Sequence, residues 1–422
     1  MSYPLALSSI WMTFQIAATI QHSWRSLVSA IALLFVALTA PAQLPESRHS
    51  TPPSNFNEIA QRARRASEEN HLDDARALYT RALAIRPRWI EGWWSLGTLE
   101  YDQDHYAKAA NAFSKLLALD PHNGTAHAML GLCQFELQQD DLALHNLLAA
   151  EKLGVVKDEQ LRKVAVFHLG LLQLRALKFS SAKETLSQLA KDGVRTGELV
   201  AALGQAALMI RPQDAPAEGT DGDRASKNVG EAEVALATKD FDRARRIYAE
   251  LAIELPSYPN LHLAYGRLLL ELHENEDAIA QFQAELDHDP RSIHCLLEIA
   301  AVRYRVDSQS ALPYAEQAVK LAPQIPFAHY LLGALRLDLD DAAGAIPELE
   351  IARKGLPAAP EIYFALGTAY ARTGRKLEAA QARAEFGRLS ASDSRKSDVH
   401  GEKPSGLSQK ELQSIDRERA LP

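Results

Sequence analysis

Residues 90–121 read IEGWWSLGTLEYDQDHYAKAANAFSKLLALDP, and residues 326–357 read PFAHYLLGALRLDLDDAAGAIPELEIARKGLP. Most letters differ, but the frame is the same. Leu96-Gly97 matches Leu332-Gly333, Ala109 matches Ala345, Phe113 matches Leu349, and Pro121 matches Pro357. Working outward, prolines stand at 87 and 121, then at 256, 290, 323 and 357, so the intervals are 34, 34, 33 and 34. The alanine recurs as Ala75, Ala109, Ala143, Ala182, Ala244, Ala278, Ala311, Ala345 and Ala379, and four residues later a bulky side chain usually follows, as at Tyr79, Phe113, Tyr248 and Phe282. A fixed period of this length marks a repeat architecture.

The residue types in the frame have a physical reading. Apolar positions fall at helical spacing, so each period makes two amphipathic helices. A small residue on the first helix faces alanine on the second, letting the two backbones approach, and the bulky residue fills the adjoining gap. Proline ends the second helix because it lacks an N–H and clashes with the preceding turn. One such pair cannot bury its own apolar faces, whereas a stack of them can. The expected fold class is therefore all-α, an α-solenoid of antiparallel helix pairs.

These residues resemble the tetratricopeptide repeat family, whose pattern has a large residue at position 4, Leu-Gly at 7 and 8, Ala at 20, an aromatic at 24, Ala at 27 and Pro at 32. The second unit supplies Trp93, Leu96, Gly97, Ala109, Phe113, Leu116 and Pro121; the eighth supplies His329, Leu332, Gly333, Ala345, Leu349, Ala352 and Pro357. Nine units start near Phe56, Ile90, Gly124, Lys163, Ala225, Pro259, Ile293, Pro326 and Pro360. The resemblance implies a superhelix with first helices on a concave face and second helices on a convex back. It also implies a non-catalytic scaffold whose partner is a protein or peptide.

Departures from the frame suggest a domain plan. After the fourth unit a lone helix is expected over about 196–209, carrying Leu203-Gly204 but with no clear second helix. Residues 211–224 are rich in Pro, Gly and acid and read as a flexible linker. The plan is thus a linker over 43–54, a first array over 55–210 with four repeats plus an extra helix, the linker 211–224, and a second array of five repeats over 225–390. The polar tail 391–422 is expected to be disordered. Within it, Ser408 and Glu411 form a capping box ahead of Leu412 and Ile415, the signature of a short helix that could cap the last repeat. Pro313 stands early in the second helix of its unit and is expected to be tolerated there.

Helical spacing assigns positions 2, 5, 9, 12 and 13 of each first helix to the side away from the packed 4–8–11 face. In the first array these include Trp94, Tyr101, Phe135, Phe167, Leu171 and Leu174. In the second they include Leu263, Leu270, Tyr304, Phe327, Tyr330 and Phe364. Arg64, Arg267, Arg305 and Arg372 belong to the same set. An apolar, aromatic-studded groove with scattered arginines suits a peptide, aromatics acting as anchors and arginines pairing carboxylates. The competing reading makes each of these an inter-repeat core residue, since repeat interfaces must be apolar anyway. The Lys/Asn/Lys/Arg clamp by which some family members hold a terminal carboxylate has no counterpart; its places hold Trp94, Thr98 and Met129.

Other chemistry is argued against. Forty-six basic residues against 54 acidic ones, a net charge of −8, do not suit a nucleic-acid binder. Two cysteines, Cys133 and Cys295, rule out a disulfide framework and read as separate packed thiols. His127, His262 and His329 each occupy position 4, and repeats spaced by a helix diameter, about 10 Å, do not bring them to one metal ion. They read as packing histidines. No nucleophile elbow, phosphate loop or acid–base pair is present, so no enzyme, cofactor, metal or small-molecule substrate is expected.

The amino terminus reads as an address. Residues 27–38 are uncharged and apolar, follow Arg25, and lead into Ala40-Pro41-Ala42, the pattern of a secretory signal spanning 1–42 and cleaved before Gln43. The true start is Met1 or Met12. The run is short for a membrane span, so membrane contact is expected only if the segment is retained as an anchor. The expected function is an exported adaptor, periplasmic or secreted and not a lipoprotein. The alternative is a structural subunit of an envelope secretion or polysaccharide-export assembly.

Overall fold

The structure is a computed structural model, and it describes residues 55–155 and 158–393. The expected signal, the start and the expected tail helix beginning at Ser408 lie outside the described residues. Among the described residues there are nineteen α-helices and no strand. The described residues divide into two compact units, one up to His168 and one from Leu169.

The first unit holds α1 (Asn55–Glu68), α2 (Leu72–Ile85), α3 (Ile90–Tyr101), α4 (Tyr106–Leu119), α5 (Gly124–Glu136) and α6 (Asp140–Leu153). Helix α7 (Glu159–Arg175) runs across the division. The second unit continues with α8 (Phe179–Lys191), α9 (Gly197–Ala207), α10 (Asp221–Ala237), α11 (Phe241–Glu254), α12 (Leu261–Glu271) and α13 (Asn275–His288). It ends with α14 (Ile293–Tyr304), α15 (Ser308–Leu321), α16 (Pro326–Asp338), α17 (Ala342–Gly355), α18 (Pro360–Arg372) and α19 (Lys376–Asp393).

Within a pair the packing follows the sequence frame. The alanines Ala75, Ala109, Ala143, Ala244, Ala278 and Ala345 are fully buried, as are the large residues Phe113, Tyr248 and Phe282. The space left by the small residue at position 8 is taken by the bulky one: a Cβ placed on Gly266 would lie 2.4 Å from the Phe282 ring, and one on Gly97 would lie 2.8 Å from Phe113. The turn between the helices of a pair closes on a residue with positive φ, such as Asn70, Asp104, Gln138, Leu177 or His273. The next N–H reaches back to a carbonyl five residues earlier, as in His71 to Ala66 at 2.7 Å and Glu274 to Leu269 at 2.9 Å, which satisfies carbonyls the helix end leaves open.

Position 4 of the first helix carries a polar aromatic donor in five units. Trp93 Nε1 donates to the carbonyl of Pro87 at 2.8 Å, and Tyr363 Oη to Pro357 at 2.9 Å. His127, His262 and His329 use Nε2 in the same way on Pro121, Pro256 and Pro323, at 3.1, 2.8 and 2.8 Å. These side chains do pack, as expected of the histidines, and each also ties the proline turn of the preceding repeat to its own helix. The sixth residue of α15 is Pro313 and the sixth of α17 is Pro347, both past the first turn, so each forfeits one intrahelical bond instead of occupying the donor-free start of the helix.

Two expectations about the middle of the chain need correction. The lone helix α9 has a partner: it packs against α10. A Cβ on Gly204 would lie 1.9 Å from the Ser226 carbonyl oxygen, and one on Gly230 would lie 1.9 Å from that of Val200, so two glycines let these backbones meet. Helix α10 then packs through Ala232 and Val229 on Ala244 and Tyr248 of α11, serving both neighbours. The segment 211–224 is not a bare linker. It holds a single 3-10 turn over Pro212–Asp214, and α10 already begins at Asp221, capped by Thr220 Oγ1 accepting from the Asp223 N–H. The boundary between compact units falls instead within α7.

Candidate functional site

The first helices of each unit present the candidate groove residues, and the structure sorts them. In the first unit Trp94 is half-buried on α3, its ring edge-on to Phe113 with centroids 5.6 Å apart. Phe135 on α5 and Phe167 on α7 are also half-buried, and both meet the His168 ring edge-on, at 4.6 and 5.9 Å. His168 Nδ1 donates to the Val164 carbonyl at 2.8 Å, which fixes that ring's orientation. Arg64 is exposed on α1 with its guanidinium 5.9 Å from the Trp89 ring. Tyr101 departs from expectation: it is buried, packed edge-on against Tyr106 at 5.5 Å, and burial pushes its phenol pKa well up. It is core between helices, not a groove residue.

In the second unit Tyr304 and Tyr330 are half-buried, Arg305 is exposed, and Phe364 is 62% exposed with its ring 5.5 Å from Phe386. Phe327 is buried at 4% exposure inside the α12–α16 core, as are Leu263 and Leu270, and in α7 Leu174 is buried too. Leu171 is half-buried. For these buried residues the competing core reading holds, because the next repeat covers the position.

Two of the arginines have intrachain partners that sequence reading did not foresee. Arg267 Nε donates to Glu298 Oε1 at 3.0 Å, with Glu298 almost wholly buried. Arg372 Nη1 donates to the Leu337 carbonyl at 2.7 Å and to Asp340 Oδ1 at 3.0 Å, so it ties α18 to the end of α16. Arg267 is thereby held inside the chain, and Arg372, though still exposed, already holds two intrachain acceptors.

A buried charge network in the second unit was missed altogether. Glu233, on a buried face of α10, accepts from Tyr248 Oη at 2.7 Å through one oxygen, and its other oxygen lies 3.3 Å from Lys183 Nζ of α8. Desolvation, with Glu233 beside it, drives the Tyr248 phenol pKa well up. Lys183 is desolvated too, but the attraction of Glu233 and Glu271 raises its pKa overall. Glu271, on the exposed edge of this network at the end of α12, has a pKa raised by desolvation, against the pull of Lys183 and Lys191 and with Glu233 adding to the rise. Glu285 is spent differently: it accepts from the backbone of Asn260 at 2.7 Å and His262 at 3.1 Å, a carboxylate at the positive end of α12. The only sequence signal for these groups was a glutamate inside an otherwise apolar helix face.

Cys133 and Cys295 are separate, buried and free, with pKa values raised by burial. Among the described residues no group of His, Cys, Asp and Glu converges as a metal site would, and no helix is long and apolar enough to cross a membrane.

Parts of the chain are similar to known proteins. Models of the tetratricopeptide repeat match residues 95–153 and 330–386, and a second such model matches 235–295. No curated protein matches the sequence significantly. Among solved structures, MamA is 21% identical over 39% of this chain and 96% of its own, with a TM-score of 0.36. A tetratricopeptide repeat protein from Parabacteroides merdae is 15% identical over 67% of this chain and 99% of its own, with a TM-score of 0.28. Yeast Tom70 is 16% identical over 87% of this chain and 77% of its own, with a TM-score of 0.31. Repeats of this kind typically bind proteins or peptides. With its period of 34, its glycine-on-phenylalanine seams and the family models that match it, the chain carries tetratricopeptide repeats.

Proposed function

We propose that the protein is a non-catalytic adaptor, exported from the cytoplasm, that binds a protein or peptide on the face formed by its first helices. The observation that carries this reading is the set of half-buried aromatics there: Trp94, Phe135 and Phe167 in one unit, Tyr304 and Tyr330 in the other. Each is braced by its own chain but keeps surface open, which is how an aromatic anchor is presented at low entropic cost. Arg267 is paired with the buried Glu298 and Arg372 ties α18 to the end of α16, so aromatic contact rather than carboxylate pairing dominates recognition. Export rests on the signal pattern of residues 1–42.

The test is crosslinking and affinity capture from the native organism with a Trp94→Ala, Tyr330→Ala double variant. Partner recovery is expected to fall at least tenfold, and recovery equal to that of the parent overturns the groove. Export is checked by the mass of the mature protein, expected to begin at Gln43. The second reading, a subunit of an envelope assembly, is favoured by large apolar residues exposed on second helices: Leu142 at 52%, Ile253 at 82% and Ile351 at 43%. Light scattering on native extracts separates the two, since a free monomer counts against assembly.

A further inference from the structure

The last repeat leaves more aromatic surface open than the repeats before it. At position 5 of the first helix, Ala128, Val229, Leu263 and Leu297 are fully buried and Trp94, Phe167 and Tyr330 half-buried, whereas Phe364 is 62% exposed. Its neighbour Phe386 holds position 27, where Leu116, Leu189, Leu251 and Ala352 are buried; Phe386 is only half-buried. The two rings touch, with centroids 5.5 Å apart. The result is an aromatic step at the end of α18–α19, more open than the equivalent positions of the earlier repeats.

Residues 394–422 continue from α19, which itself runs seven residues past Phe386, about 10 Å at the helical rise. In this stretch Ser408 and Glu411 are spaced as a capping box, and Leu407 and Leu412 stand at the two positions of a hydrophobic staple around it. Leu412 and Ile415 are three apart and share one helix face. That face is small, apolar and flanked by Lys410, Glu411, Asp416 and Arg419, which suits a cover with a polar outer side. A connection of thirteen residues, 394–406, has an r.m.s. reach of roughly 20 Å, enough to turn back from the end of α19 and hold the segment near the step at high local concentration.

We propose that residues 408–419 dock as a helix on Phe364 and Phe386, placing Leu412 and Ile415 against the two rings and closing the array with the chain's own tail. In this arrangement Phe364 belongs to an intramolecular interface and is withdrawn from the peptide-binding set.

Amide exchange with mass spectrometry on the full chain tests this. Amides of 410–418 are expected to exchange at least tenfold slower than in an unstructured peptide of the same sequence. Leu412→Asp, which lies outside the repeat core, and Phe364→Asp are each expected to abolish that protection. Exchange of 410–418 at the unstructured rate in the parent protein overturns the proposal. So does protection that survives Phe364→Asp, which places the segment elsewhere, or protection that grows with protein concentration, which makes a second copy the occupant.

Discussion

At the residue scale, glycine does two different things in this chain, and substitution separates them. Gly230 meets the Val200 backbone, where a Cβ would sit 1.9 Å from a carbonyl oxygen that cannot swing aside. Gly387 lies exposed in α19 with nothing within 4 Å of the Cβ it lacks. Gly230→Ala is therefore expected to lose about 2 kcal/mol or more, as overpacking forces α9 and α10 apart. Gly387→Ala should gain up to about 1 kcal/mol from helix propensity alone. Thermal melts of the two variants should move in opposite directions. The donors at position 4 admit a similar test. Tyr363→Phe removes only the hydroxyl that donates to Pro357, and should cost about 1 kcal/mol in denaturant titration.

At the scale of elements, α8, α10, α11 and α12 are held by charge as well as by apolar contact. Lys183→Met leaves Glu233 buried with Tyr248 as its remaining hydrogen-bond donor, and is expected to destabilise by about 2–3 kcal/mol, more than Tyr248→Phe does. Glu271 gives a pH signature. Its pKa is raised in the folded protein, so between the ordinary carboxylate range and the raised value the native state binds more protons than the unfolded chain. Its contribution to stability accordingly worsens as pH rises through that window. Glu271→Gln should be more stable than the parent at pH 7, with the difference shrinking as the pH falls to the usual carboxylate range. A constant difference across that range in denaturant midpoints would show that Glu271 does not titrate in this way.

At the scale of the whole molecule, each helix pair is stabilised mainly by itself and its neighbours in sequence, so damage should remain local. Phe113 is fully buried against Gly97 and Trp94, and Phe113→Ala should remove about 3–5 kcal/mol from its own region. Amide exchange is expected to accelerate through α3–α6 and to stay unchanged in α14–α18. Uniform acceleration across both units would mean that the chain unfolds as one cooperative block.

The repeat, its helix pairs and their seams were determined by the sequence alone, because they depend on contacts between residues less than one period apart. Gly97 with Phe113 and Ala109 is readable wherever the spacing recurs. The turns were less legible: their left-handed residues are mostly Asn, Asp, Gln, Leu or His, and among the turns that close the pairs only that at Gly374 was announced by a glycine. The partner of α9 was decided only by the tertiary structure, because Gly204 and Gly230 meet across a connection that breaks the frame. The candidate groove divides in the same way. Helical spacing named Trp94, Tyr101, Phe327 and Phe364 together, yet Tyr101 and Phe327 are buried, Trp94 is half-open and Phe364 stands out. Exposure at one position of a repeated helix is set by what the adjoining helices place over it, and that differs from one repeat to the next.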